Sequence, residues 1–427
     1  MALFCVMHLT HLSLTNFRNY ARLDVEVPRG PLLLLGGNAQ GKTSLLEAIY
    51  FLATFVSFNT SNDRQLINFI AAREPLAVAR IKADFRYDAN LDSDRSLPVH
   101  SAGEEHQMEV RIIKEGSGSF NGSARVRKEV LIDGVKRKLT DALGVFNAVL
   151  FLPQMLQIVE GAPEERRRYL NLTLSQAVPN YADTLSSYSR SLAQRNALLK
   201  SLSERGGDPQ QLSYWDEQIA STGAQIIYAR IHAILELERL AARIHSELTR
   251  GQEILRIDYQ PAYDPLPKRS RQYELPLNTP VDRSGVSLEK IHQGFLADLA
   301  RLRSEEIARG VTTIGPHRDE MRFLGNGIDL GDFGSRGQAR TAVLSMKLAE
   351  VAWMKGRTGR WPVLLLDEVL AELDPARRKD LLDRLASSEQ ALLTTTDLDL
   401  FHDEFVNRAS LWQIQGGRLG EMKNEVR

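Results

Sequence analysis

The sequence predicts an α/β fold in which a parallel-sheet core and an antiparallel β lobe are interrupted by an inserted, mainly helical domain. Three observations predict it. The stretch "LLLLGGNAQGKTSLLEAIY", Leu32 to Tyr50, runs an apolar strand through a tight Gly-containing turn into a helix-forming tail. From about Glu164 to Thr249 the hydrophobic period becomes helical. Near the end, "WPVLLLDEV" and "QALLTTTD" are buried-strand candidates flanking a helix after Pro375.

Taken in order, Met7 to about Asp88 alternates "LTHLSL", "LDVEV" and "LLLL" with turns, then a helix from Lys42 to about Thr54 and a further strand, "LAVARIKADF". Between Ala89 and Thr140 the chain turns polar, with "MEVRIIK" and "KEVLIDGVKRK" as strands around "EGSGSFNGSA", a hairpin-rich pattern. Tyr181, Leu185, Tyr188, Leu192 and Leu199 then keep helical spacing. Ile227, Ile234, Ala241 and Leu248 are seven apart, with Leu237 and Ile244 interleaved. These helices form either a bundle packed on itself or a projecting coiled-coil arm. The Pro-rich, charged "PAYDPLPKRSRQYELPLNTPVDRSG" reads as an exposed linker before a helix from about Leu288 to Arg309. The expected domains are 1–165, with the β lobe at about 89–140; 166–305, with the linker at about 261–285; and 306–427.

At 427 residues the chain can bury a sizeable core. Lys+Arg and Asp+Glu are equal at 54 each, so only local clusters can argue for an anionic partner. One cysteine, Cys5, excludes an internal disulfide or a Cys-based metal site and points to a reducing cytosol. No apolar run approaches the roughly 20 residues of a membrane span. "MALFCVM" lacks the regions of a signal peptide, and either Met1 or Met7 could be the start.

Gly36, Gly41, Lys42 and Thr43 satisfy G-x-x-x-x-G-K-[ST] between a strand and a helix, so Gly36, Gly37, Asn38, Ala39, Gln40, Gly41, Lys42, Thr43 and Ser44 form a candidate phosphate loop. Glycines let successive N–H groups turn toward phosphate oxygens. The helix N-terminus adds positive potential, Lys42 bridges the β- and γ-phosphates, and the Thr43 hydroxyl ligates Mg²⁺. Asp367 and Glu368 end a buried strand, where the first can hold the Mg²⁺ shell and the second can polarise an attacking water. Glu372 to Asp374, "ELD", repeats the carboxylate theme. Ser335-x-Gly337-Gln338 opens an amphipathic helix and reads as a second anion site, with Ser335 as cap and Gly337 permitting close backbone approach. Two such sites and one phosphate loop suggest a dimer whose signatures close over each other's γ-phosphate.

The chain resembles the RecF family, recombination mediators with an ATP-binding-cassette (ABC-ATPase) head related to those of Rad50 and the SMC proteins. The resemblance is carried in order by "LSLTNFRNYARLDVEVPRGPLLLLGGNAQGKTSLLEAIYFLAT", "VLFLPQMLQIVEGAPEERRRYLN", "SRSLAQRNALLK", "GVTTIGPHRDEMRF", "DFGSRGQARTAVLSMKLAE" and "LLLDEVLAELD". It implies a cytoplasmic protein that binds ATP and DNA, dimerises with ATP bound, hydrolyses ATP slowly, and works with RecR and RecO at single-strand gaps. It implies Ser335 to Gln338 as signature, Asp374 as the dimer-contacting D-loop residue, and Arg18 and Asn19 of "NFRNY" close to the nucleotide. Several positions depart from the family pattern. Ala39 stands where a glycine is usual, tolerable if that position needs no positive φ. "FVSFNT", Phe55 to Thr60, replaces an arginine-containing stretch. Pro153-Gln154 makes Gln154 a candidate Mg²⁺- and water-sensing glutamine, or else an ordinary loop residue. Glu368 replaces a second Asp, and Thr396 and Asp397 stand where the wider class has a switch His.

Basic clusters at Arg166 to Arg168, Lys268 to Arg271 and Lys136 to Lys138 are candidate phosphate contacts for gapped, single- or double-stranded DNA, or solvated faces. Two alternatives compete. A transporter-type nucleotide-binding subunit is opposed by the long stretch between Ser44 and Ser335. An SMC- or Rad50-like tether is opposed by the shortness of Glu164 to Arg309 and its lack of C-x-x-C.

Overall fold

The computed structural model describes residues 5–89, 105–116, 125–266, 281–386 and 388–421. Lys268 to Arg271, with most of the Pro-rich linker, lie outside the described residues. The chain forms two compact units, Met1–Gln154 with Met354–Arg427, and Met155–Trp353. In the first it runs through β1 (Cys5–Phe17), β2 (Tyr20–Glu26), β3 (Gly30–Leu35), α1 (Lys42–Thr54), β4 (Leu76–Ala89), β5 (Glu105–Glu115), β6 (Arg125–Ile132), β7 (Val135–Arg137) and β8 (Ala148–Phe151). The second contains β9 (Leu255–Gln260), β10 (Glu320–Gly325) and β11 (Ile328–Asp329). The chain then returns with β12 (Arg360–Trp361), β13 (Val363–Asp367), β14 (Gln390–Thr395), β15 (Ser410–Gln415) and β16 (Arg418–Glu421).

The first unit holds two sheets. One has the order β16-β15-β3-β14-β13-β8, parallel except for the β15–β16 hairpin. Leu32 to Leu34, Val363 to Leu366 and Ala391 to Leu393 are all buried, as continuous apolar runs in a sheet covered on both faces must be. The other sheet has the order β12-β1-β4-β5-β6-β7, with β2 also on β1. It is antiparallel apart from the β1–β12 pair. The antiparallel lobe therefore begins at the first strand rather than at residue 89, because the long β1 pairs with both β2 and β4. Helix α1, buried almost throughout, packs against strands of both sheets. In register, Leu35 faces Thr395 and Asp367 faces Thr394. The phosphate loop, Asp367, Glu368 and Thr394 thus share the carboxyl edge of the parallel sheet, the edge at which open α/β sheets bind ligands.

The second unit is built on helices Tyr181–Arg205, Leu212–Leu248 and Leu288–Arg309, which bury their apolar stripes against one another, as the bundle reading expects. Gly223 leaves room for side chains of the other two: a Cβ there would meet Phe295 at 2.6 Å and Tyr188 at 3.1 Å. The unit also carries a three-stranded sheet, β11-β10-β9, which the sequence reading did not predict. A correction to the expected boundaries follows from helix Arg336–Thr358. The signature that opens it groups with the helical unit, not with the C-terminal part of the head. The cause is packing: Glu350 accepts hydrogen bonds from Tyr169 and Thr173, and Trp353 donates to Glu236.

Candidate functional site

The first unit's site starts from the loop after β3. Helix α1 opens at Gly41, which has no side chain with which to cap it and sits at φ 118°. Its first N–H groups and the positive end of its dipole are therefore presented to an anion. A Cβ at Gly41 would come within 2.6 Å of Asn19 Nδ2, and one at Gly36 within 2.4 Å of the Ile414 carbonyl oxygen, so both positions require glycine. Asn19 Nδ2 donates to the Gln40 carbonyl at 3.1 Å and the Tyr20 hydroxyl to the Gly41 carbonyl at 3.0 Å. From the far end of the sequence, the Gly416 and Gly417 N–H groups donate to Gln40 at 2.7 and 2.9 Å. Gln40 and Gly41 of the loop are thus braced by neighbouring segments.

Ala39 has φ 60°, so the condition under which an alanine would fit without cost, that its position need no positive φ, is not met. The loop keeps its left-handed turn and the alanine bears the strain, about 1–2 kcal/mol for a residue with a Cβ.

Lys42 is 4% exposed, and its ammonium donates to the carbonyls of Gly36 at 2.6 Å and Gly37 at 3.1 Å. It lies 3.3 Å from Glu368 Oε1. The Thr43 hydroxyl meets Asp367 Oδ1 and Oδ2 at 3.0 and 2.9 Å. Thr394 donates to Asp367 Oδ1 at 2.7 Å and accepts from the Glu368 N–H at 3.0 Å, tying the two carboxylate residues together. Burial pushes the Asp367 carboxyl above its ordinary range, opposed by the two threonine hydroxyls and Lys42. A cation beside Asp367 would relieve that cost. Glu368 also sits at positive φ, 52°, with a half-exposed side chain, the kind of backbone outlier that clusters at functional sites.

Lys42, Thr43 and Glu368 border a cavity of about 560 Å³, lined also by the rest of Gly37 to Ser44, Arg18, Asn19, Gln65, Ile67 and Phe69, a volume suited to a nucleotide-sized ligand. One hydroxyl and one carboxylate suit Mg²⁺, which keeps several waters and takes its remaining ligands from substrate phosphates. Among the described residues no group of three or more His, Cys, Asp or Glu could hold a metal by itself.

The family model described as "RecF/RecN/SMC N terminal domain" matches residues 8–411. The DNA replication and repair protein RecF of Roseiflexus castenholzii is 39% identical over 425 residues, 97% of this chain and 99% of that protein. The chain belongs to the RecF family. A solved structure of the recombination mediator protein RecF-ATPrS in the RecFOR pathway matches with TM-score 0.78 and 28% identity, covering 99% of this chain and 100% of that one. An Smc head domain from Pyrococcus furiosus, bound to the C-terminal domain of ScpA, shares the fold alone, at TM-score 0.50 and 16% identity over 98% of this chain and 97% of that one. The RecF-type ABC-ATPase head is thus the fold of this chain.

Within this RecF-family fold the other predicted residues fall in several places. Arg18 lines the cavity, but its guanidinium is clamped by Glu47 on α1, with both bonds 2.7 Å, and by the Gln65 carbonyl at 3.0 Å. Gln154 is exposed in a helical turn just beyond β8, whose Phe151 pairs with Leu366 of β13. Asp374 accepts from the N–H groups of Ala376 and Arg377, both at 3.1 Å, capping helix Pro375–Ala386; the Arg377 N–H holds its carboxyl below the ordinary range. Neither Gln154 nor Asp374 lines the cavity.

In the second unit, Ser335 and Gln338 form a capping box. The Ser335 hydroxyl accepts from the Gln338 N–H at 3.2 Å, and Gln338 Oε1 from the Ser335 N–H at 3.0 Å. Gln338 Nε2 also donates to Glu253 at 3.3 Å. A Cβ at Gly337 would meet, among the described residues, only the Ser335 hydroxyl at 3.9 Å.

The basic clusters divide. Arg166 is a structural residue, buried and bidentate to Glu320 at 2.6 and 2.9 Å. Arg167 donates to the Asp319 carbonyl at 2.9 Å, while Arg168 is exposed. Lys136 pairs with Glu129 at 2.6 Å, beside exposed Arg137 and Lys138. Among the described residues no helix is long and apolar enough to cross a membrane. The sequence reading missed Tyr20, Glu47, Thr394 and the Gln65-Ile67-Phe69 wall; only Tyr20, inside "NFRNY", had a local signal.

Proposed function

We propose that this RecF-family chain is an ATP-dependent DNA-binding recombination mediator of recombinational repair and replication restart, acting at single-strand gaps and junctions. ATP binding drives two copies together, and weak, slow, DNA-stimulated hydrolysis of ATP to ADP and phosphate releases them. The observation that carries the reading is the uncapped N-terminus of α1, with Lys42 and the Thr43–Asp367 pair beside it at one cavity. The relatives' names support the DNA repair role.

The loop N–H groups of Gly37 to Ser44 hold the phosphates, and the Lys42 ammonium exchanges the Gly36 and Gly37 carbonyls for β- and γ-phosphate oxygens. Thr43 and Asp367 would hold Mg²⁺, with Gln154 as a further ligand or water sensor; bound there, the ion would neutralise charge on the phosphate oxygens. Glu368 orients and polarises the attacking water, steadied by the Thr394 bond to its N–H. Ser335, Gly337 and Gln338 of a second copy close over the γ-phosphate, with Asp374 contributing at the dimer contact. Exposed cations such as Arg137, Lys138 and Arg168 supply salt-dependent contacts to gapped, single- or double-stranded DNA. RecR and RecO are the partners and the cytoplasm is the compartment.

The test is light scattering with and without ATP. Lys42→Met is expected to abolish ATP-dependent dimerisation. Glu368→Gln is expected to lose about 10²–10⁴-fold in turnover yet trap the dimer. A Glu368→Gln protein that stays monomeric in ATP overturns the composite site.

A further inference from the structure

We propose that Phe69 is the base-stacking platform of the nucleotide site, an inference that rests on the phosphate-loop reading. The cavity is lined by two chemically distinct sets of groups. One consists of loop N–H groups, Lys42 and Thr43, which suit phosphate; the other consists of Gln65, Ile67 and Phe69. Among the described residues lining the cavity, Phe69 is the single aromatic, and its side chain is 68% exposed while Ile67 is buried. With the phosphates on the loop, Gln65, Ile67 and Phe69 are the part of the lining that suits a base, and a ring with an open π-face is its natural partner.

The ring's position is tied to the loop. The Asn68 amide donates to the Arg18 carbonyl at 2.7 Å, and the Asn68 N–H to the Asn16 carbonyl at 2.8 Å. The next residue, Asn19, braces Gln40 of the phosphate loop. The same turn therefore holds both the phosphate loop and the segment that carries Phe69. The Arg73 guanidinium lies over the Phe69 ring, 5.5 Å from its centroid, a cation–π contact that restrains the ring. Because aromatic stacking accepts every base, Phe69 supplies affinity and favours purines by their area, without reading the base edge.

The experiment is calorimetric titration of wild type, Phe69→Ala and Phe69→Trp with Mg·ATP and, separately, with Mg·tripolyphosphate, which has no base. The expected result is a loss of about 5- to 100-fold in ATP affinity for Phe69→Ala, unchanged tripolyphosphate affinity, and recovery in Phe69→Trp. The exposed position leaves folding intact in either variant, and matching tripolyphosphate affinities verify it. Phe69→Ala that binds ATP as tightly as wild type overturns the stacking role. Wild type that binds neither ligand overturns the phosphate-loop reading itself.

Discussion

Two helix N-termini in this molecule bear glycine-containing motifs, and they manage their free N–H groups in opposite ways. Helix α1 opens on Gly41, without a capping side chain, and its loop is braced from outside by Asn19, Tyr20 and the Gly416–Gly417 turn. Helix Arg336–Thr358 opens on Ser335, which exchanges a reciprocal pair of bonds with Gln338. The first end leaves its donors to a ligand; the second satisfies its own. The glycines differ in the same sense. Gly41 is required by contacts inside the chain, whereas among the described residues nothing crowds Gly337. A motif glycine that its own chain does not demand is explained by close approach from outside, the role the proposed dimer gives it.

The largest effect that tests this contrast comes from Ser335→Asp. Aspartate is as good an N-cap as serine and is favoured by the helix dipole, so unfolding stability should hold. Its charge would face the γ-phosphate of the other copy, where like-charge juxtaposition costs several kcal/mol, so ATP-driven self-association should weaken about a hundred-fold or more. Ser335→Ala is the control, expected to cost about 1 kcal/mol through lost capping. Unchanged dimerisation of Ser335→Asp, measured by analytical ultracentrifugation in ATP, would make this helix end a cap and nothing more.

Next in size is the paired substitution of the two glycines. Gly41→Ala should destabilise the first unit by about 1–3 kcal/mol from its backbone conformation alone, before the clash with Asn19 is counted. Gly337→Ala, in ordinary helical backbone, should stabilise by about 0.5–1 kcal/mol. It should nonetheless impair ATP-dependent dimerisation. Urea unfolding and light scattering on the same two proteins check both halves; equal destabilisation by the two changes would erase the contrast.

The contrast also explains what was legible in the sequence. The phosphate loop, Asp367 and Glu368 were readable because each lies in a short local motif at the end of an apolar strand. The groups that tune them were not. Thr394 is an ordinary strand threonine until pairing with β13 brings it to Asp367, and Gln40 is gripped by Gly416, 376 residues away. Phe69 sits in a short apolar run, "LINFIAA", that carries no motif, and only the fold places it at the cavity. The unit boundary failed for a related reason. Helix Arg336–Thr358 follows its buried contacts from Glu350 to Tyr169 and Thr173, and periodicity carries no information about which surface a helical stripe will meet.

The smallest expected effect concerns Ala39, and it tests whether the open end is held open by its neighbours. At φ 60° an alanine costs about 1–2 kcal/mol relative to a right-handed conformation, whereas glycine adopts the same angle freely. Glycine also enlarges the unfolded ensemble, which returns about 0.4–1 kcal/mol. Ala39→Gly should therefore stabilise the first unit by at most about 1.6 kcal/mol, a rise of no more than about 6 °C in its unfolding midpoint by calorimetry. Because Gln40 and Gly41 are bonded to Asn19, Tyr20, Gly416 and Gly417, the bracing contacts and not residue 39 should set the loop's shape, leaving nucleotide affinity within about two-fold of wild type. A large loss of affinity in Ala39→Gly would mean the opposite. The alanine would then be what restricts the loop to its binding conformation, and the bracing from outside would be too weak to do so.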